Sequence, residues 1–262
     1  MRRLAILIFA LSCFPLFSTE ALLAQTRRLD TTSFLVLGEG LAAGVRNFSL
    51  NEKGQKLSFP ALMADQMETA FPQPLFQTPG LGNVVGFQEL PVRVPATLQT
   101  TLRTQSPPQL FVFNLSVPGM RLSDALTRRP VEPLIHQRDA KQTLINFILG
   151  FPSLILGEDV PFWTQVEYAT SMRPTLALVE LGYHEVLEAA VEGDLSRLPD
   201  VDQFRSNYAQ LLGALRSFHS EVLVTTIPDP IDTAYFTDVI SAAELLRVQP
   251  FVIVGLYGLG LD

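Results

Sequence analysis

The sequence predicts an α/β fold in three layers, with a parallel sheet sandwiched between helices. Three observations carry this. Four short apolar runs recur along the chain, and each ends at Gly or at Pro-Asp. Helical or loop segments separate them, the alternation expected of parallel strands joined by crossovers. The composition, 47% hydrophobic and 17% charged over 262 residues, suits one globular domain with an ample core.

Each element has its own signal. "FLVLG" (Phe34–Gly38) reads as a short buried strand, and "FPALMADQMETA" (Phe59–Ala70) has apolar positions at helical spacing. Phe71–Val94 is rich in Pro, Gly and Phe and reads as a long ordered loop. "QLFVFNLSVPG" (Gln109–Gly119) reads as a second strand, buried on both faces. "RLSDALTRR" (Arg121–Arg129), "AKQTLINFILG" (Ala140–Gly150) and "FWTQVEYATSM" (Phe162–Met172) are predicted helices. "PTLALVELG" (Pro174–Gly182) is the third strand, and "EVLEAAVEG" (Glu185–Gly193) a helix with a Gly stop. Asp200–Phe218 opens on an Asp cap and is the clearest amphipathic helix. "EVLVTTIPD" (Glu221–Asp229) is the fourth strand.

The N-terminus reads as an export signal over residues 1–24. Met1-Arg2-Arg3 is positive, Leu4 to Phe17 is almost wholly apolar, and Ala24 offers a small residue for cleavage before Gln25. The apolar stretch falls short of the roughly 20 residues a membrane span needs. The expected organisation is therefore a signal peptide, a single domain over residues 31–262, and export to the periplasm or exterior with no span remaining after cleavage. Cys13, the one cysteine, lies inside the signal, so the mature chain has no disulfide and no thiolate chemistry. Net charge is −7, with no basic patch, which argues against nucleic acid. His136, His184 and His219 lack metal-ligand spacing, so no metal or cofactor is expected. "GLGNVVG" (Gly80–Gly86) follows no strand and is read as loop chemistry, not a phosphate cradle.

Ligands of open parallel sheets sit at the carboxyl ends of strands. That points to the four turns Gly38-Glu39-Gly40, Val117-Pro118-Gly119, Gly182 to Glu185, and Pro228-Asp229-Pro230. In order, these turns resemble the blocks of the SGNH, or GDSL, hydrolases. "VLGEGLAAG" is similar to their first block, usually Gly-Asp-Ser-Leu. "NLSVPGMRLSD" is similar to the second, whose Gly donates a backbone N–H to the oxyanion hole. "ELGYHEVLEAAVEG" resembles the third, usually Gly-x-Asn-Asp, and "TTIPDPIDTAYF" a strand of the bacterial secreted members. The resemblance spans Ser33 to Phe236 and implies a flavodoxin-like sheet and an ester or acyl hydrolase scaffold.

The departures concern the chemistry. Gly40 stands where the family places its nucleophilic Ser, and Glu39 replaces the Asp before it. His184 takes the place of the oxyanion Asn, Glu185 that of the following Asp, and Gly119 matches the second-block donor. No Asp-x-x-His follows Phe236, and the Gly-rich tail "GLYGLGLD", with no cap or closing helix, suggests a C-terminally truncated relative or else an extra strand or hairpin. One lost oxyanion donor costs about 10²–10³ in rate, whereas missing nucleophile and base together exclude the acyl-enzyme route. Glu39 is read as bonding a neighbouring turn, with water activation as the alternative. His184 is either an oxyanion donor or base, or a structural polar group. Glu185 is read as a first-turn helix residue, and Ser116 and Ser123 lack a base. Three functions stay open. One is an impaired hydrolase relative that binds an acyl-ester or glycan-like ligand. Another is an esterase with rearranged catalytic residues. The third is a structural surface protein.

Overall fold

The computed structural model describes residues 29–46, 49–77, 80, 86–89, 92–94, 109–136, 138–232 and 236–257. The expected signal with Cys13, and most of Gly80–Gly86, lie outside them. In chain order, β1 (Phe34–Gly38) leads into α1 (Gly40–Ala43), α2 (Glu52–Lys56) and α3 (Phe59–Gln66). β2 (Gly86–Glu89) and β3 (Val92–Val94) form a separate antiparallel pair. Next come α4 (Leu122–Thr127), α5 (Ala140–Leu149), α6 (Phe151–Leu156), α7 (Gln165–Met172) and β4 (Leu176–Glu180). α8 (Tyr183–Glu192), α9 (Val201–Arg216) and β5 (Glu221–Val224) follow, then α10 (Val239–Leu246) and α11 (Pro250–Tyr257).

The main sheet is parallel, in the order β1–β4–β5, with Phe34 opposite Leu176 and Leu176 opposite Glu221. Period-two alternation sends its side chains to two sides. Leu35, Leu37, Ala177 and Val179 join a large core with Leu144, Ile148, Tyr168, Leu211 and Leu215. Phe34, Val36, Leu176 and Leu178 join a smaller one with Ala42 and Ala64. The apolar runs Phe34–Leu37 of β1 and Leu176–Val179 of β4 thus follow from burial on both faces. β5 is largely exposed.

Several expectations need correction. Gln109–Gly119 is not a regular strand. It meets β1 through one parallel bridge, Val36 to Asn114, with the Val36 N–H on Phe113 O and the Leu115 N–H on Val36 O. Its other edge is diverted: the Phe113 N–H donates to Pro72 O, and the Ser116 N–H to the side chain of Asn114. The Phe71–Val94 loop contains the β2–β3 pair. α3 stops at Gln66, since Glu68 adopts a left-handed φ of 53°. α7 starts at Gln165, where Thr164 and Glu167 form a reciprocal capping box. Upstream of the tail, Asp238 accepts the Ile240 and Ser241 N–H groups and starts α10, and α11 packs beside it; α11 takes in Gly255–Tyr257, and the rest of the Gly-rich tail lies outside the described residues. No helix among the described residues is long and apolar enough to cross a membrane.

Gly38 closes β1 for a steric reason. A β-carbon there would stand 2.7 Å from both Ala42 Cβ and Ser116 Oγ. Gly38→Ala is expected to destabilise the protein by about 1–3 kcal/mol through overpacking, read as a lowered denaturation midpoint. An unchanged midpoint would mean that this junction is looser than described.

Candidate functional site

The turns after β1 and β4 are tied together by buried carboxyl groups. Glu180, the last residue of β4, accepts the N–H groups of Glu39 and Ala42 on one oxygen, at 3.0 and 3.2 Å. It thereby holds the start of α1. Glu39 reaches the other way: the His184 N–H donates to its Oε1 at 2.8 Å, at the start of α8. Glu185 extends the chain of contacts, since the Leu122 N–H, at the start of α4, donates to its Oε1 at 2.7 Å. Each carboxyl serves amide groups that a helix terminus would otherwise leave without an acceptor.

Glu39, Glu180 and Glu185 are only 3%, 4% and 6% exposed. No ion pair involving any of them is found among the described residues. Burial, then repulsion from Glu180, pushes the Glu39 carboxyl up to about 9, against the opposing pull of the His184 N–H. Burial pushes Glu180 up to about 7 and Glu185 upward from its ordinary value. At neutral pH Glu39 is a protonated acid, able to hold a proton but poor at taking one.

His184 joins two of the predicted turns. Its backbone meets Glu39, and its ring lies against Gly119, where a β-carbon would be 3.8 Å from Cε1 and Nε2. Gly119 has φ of 77°, a conformation that favours glycine. The ring is partly exposed, and its Nε2 lies 3.8 Å from Glu188 Oε2. Burial, with Lys141 and Arg121 nearby, lowers the imidazole below its ordinary value despite Glu188. Its neutral ring can accept or donate at pH 7. Glu188 is held by Arg121 and by Arg197, the latter at 3.1 Å, and Lys141 pairs with Asp124 at 2.6 Å. Gly40 opens α1, and a β-carbon on it would meet nothing within 4 Å.

Glu39, Gly40, Gly119 and His184 are therefore neighbours. Ser116 is buried beside Gly38 with its Oγ unpartnered, and Ser123 is exposed on α4. His136 lies in the turn before α5, its N–H donating to Thr143 Oγ1. His219 sits in the left-handed turn after α9 and not on the helix itself. Glu185 is in the first turn of α8, as expected, but its carboxyl works outward on α4. Sequence reasoning missed Glu180, whose signal was an acidic residue closing an otherwise apolar strand. It also missed Gln165, whose Nε2 donates to Gly38 O and Leu115 O and clamps the irregular segment to β1. Among the described residues no cluster of three or more His, Cys, Asp or Glu could hold a metal. Comparisons with protein-family models, curated proteins and solved structures gave no match.

Removing an acceptor leaves a buried N–H unsatisfied, at about 1–3 kcal/mol. Glu180→Ala and Glu39→Ala should each lower stability by that order, while the Gln variants, which keep an acceptor, should cost less in denaturant titration. The pH dependence follows from the raised values. Above 4.5 the unfolded carboxyls are ionised while the folded ones keep their protons, so folding takes up protons. This contribution is full below pH 4.5 and is lost as pH rises, through about 7 for Glu180 and about 9 for Glu39. Denaturation midpoints should fall across that window, and Glu39→Gln with Glu180→Gln should flatten the decline.

Proposed function

We propose that this chain is an exported relative of the SGNH hydrolases that binds an acyl-ester or glycan-like ligand at the Glu39–Gly119–His184 cluster. In this reading the acyl-enzyme route is lost. The observation that carries it is the meeting of three separate turns at His184: the main chain against Glu39 and the ring against Gly119. The flavodoxin-like, three-layer arrangement is part of the proposal. It is supported by the parallel course of Asn114 beside β1, which puts that segment, β1, β4 and β5 in one row. Export rests on the charged, apolar and small-residue pattern of residues 1–24.

Chemically, the cluster holds a protonated carboxyl, a neutral imidazole and the Gly119 backbone. A carbonyl oxygen can take a hydrogen bond there, but Gly40 offers no hydroxyl to attack it. A second reading is favoured by the partly exposed, neutral His184 with Glu188 behind it. His184 would take a proton from water as its oxygen adds to an ester carbonyl, and the tetrahedral adduct would then break its ester C–O bond as the imidazolium returns the proton to the departing alkoxide, giving acid and alcohol.

Turnover of an aryl ester separates the two. Binding without chemistry predicts no turnover above the spontaneous rate. Water activation predicts turnover that His184→Ala reduces by roughly 10²–10⁴. Gly40→Ser should fold like the parent, because its side chain enters open space, and should restore little hydrolysis without a paired base. Strong esterase activity in Gly40→Ser would contradict the loss of the acyl-enzyme route.

A further inference from the structure

A second site lies at the opposite end of the strands. One cavity of about 430 Å³ runs beside Trp163 and Ser171, and another of about 370 Å³ beside Thr175 and His219. Arg173 and Phe218 line both, so the two form one groove with these residues at its waist. Thr175 immediately precedes β4, and Glu221, also in the lining, begins β5. The Glu39 cluster lies past the far ends of β1 and β4, about 16 Å away at 3.3 Å per strand residue.

The lining has a defined chemistry. Arg173 ends α7 in a left-handed conformation, φ 46°, and its guanidinium stands 5.5 Å from the centroid of the Phe218 ring. Among the described residues no carboxylate pairs with it, whereas Arg129 in the same wall pairs with Glu167 at 2.5 Å. Arg173 is thus a cation supported by a ring, with its fork of donors unspent. Trp163 is braced edge-on by Tyr168, 5.5 Å between centroids, and supplies an apolar face. Thr170 and Ser171 donate their hydroxyl protons to the carbonyls of Glu167 and Tyr168, at 3.0 and 2.7 Å, leaving oxygens that accept from a ligand. Asp30 and Glu221 bound the far end, where a second anionic group would be repelled.

We propose that this groove binds a monocarboxylate carried on a hydroxylated ring, a compound of the sugar-acid class. The carboxylate takes the Arg173 fork, one ring face lies on Trp163, and ring hydroxyls donate to the acceptors of α7. The site is independent of the Glu39 cluster.

Trp163 is the sole tryptophan of the chain, so its fluorescence reports on the groove. The test titrates the full chain with glucuronate, glucose and benzoate. The expected result is a saturable response to glucuronate, weaker by at least about tenfold for glucose, which lacks the charge. Arg173→Asn, whose new residue tolerates the left-handed backbone, should weaken glucuronate by a similar factor. Glu39→Gln should leave it unchanged, which separates failure of this groove from failure of the Glu39 cluster. No saturable response to glucuronate, an equal response in Arg173→Asn, or tighter binding of benzoate than of glucuronate would each overturn the proposal.

Discussion

Three carboxyl groups removed from water hold the turns after β1 and β4 and the start of α4 together. Glu180 fixes the turn after β1, Glu39 fixes the start of α8, and Glu185 fixes the start of α4. Each bridges segments distant in the chain, and each uses backbone N–H groups in place of a cationic partner. A buried carboxylate with no counter-ion is costly, so burial raises all three groups above their ordinary value, and Glu39, pushed up to about 9, acts as a neutral acceptor at pH 7. The arrangement fixes positions of main chain and asks nothing of a side chain at residue 40, which is Gly.

The same constraint limits the chemistry. A carboxyl that stays protonated at neutral pH cannot double as a general base, so Glu39 belongs to the frame of the site. His184 is different: its main chain is part of the frame, but its ring reaches partly exposed surface beside Gly119, backed by Glu188 and the Arg121 and Arg197 guanidinium groups. Any reactivity left at this cluster therefore centres on His184. The charges around it are already paired with one another, which suits a neutral ligand there better than an anionic one. The Arg173 groove, with its unspent cation, has the opposite preference.

Much of this architecture was legible in the sequence, for local reasons. β1 and β4 are apolar up to their last residues, Gly38 and Glu180, because both their faces are covered. α9 begins where Asp200 caps it, and α8 ends at Gly193, in a left-handed conformation. The failures came where tertiary contacts override local pattern. Gln109–Gly119 has the composition of a strand, yet Pro72 and the side chain of Asn114 take amides that a second ladder would need. Downstream, Asp238 caps α10, a helix that the sequence reading did not assign. At the site, the turns after β1 and β4 were legible as strand ends, and Glu39 as a backbone-bonding residue; the Gly119 and Pro228–Pro230 turns follow no regular strand, since β5 stops at Val224. Glu180 was not, because nothing local reveals that an acidic residue at the end of a strand faces inward to another turn. The Arg173 groove was invisible for the same reason: its residues come largely from α7 and the loops on either side of it, the segment before β1, the turn after α9 and the start of β5.

Glu39 and Glu180 hold their protons above the ordinary carboxylate range while accepting the amides of neighbouring turns. Carboxyl ¹³C resonances, assigned with the Gln variants and followed against pH in the folded protein, test it directly. Glu180 should titrate near 7 and Glu39 near 9, with the Glu39, Ala42 and His184 amide resonances moving in step. Titration of both groups near 4.5, with those amides unmoved, would contradict it.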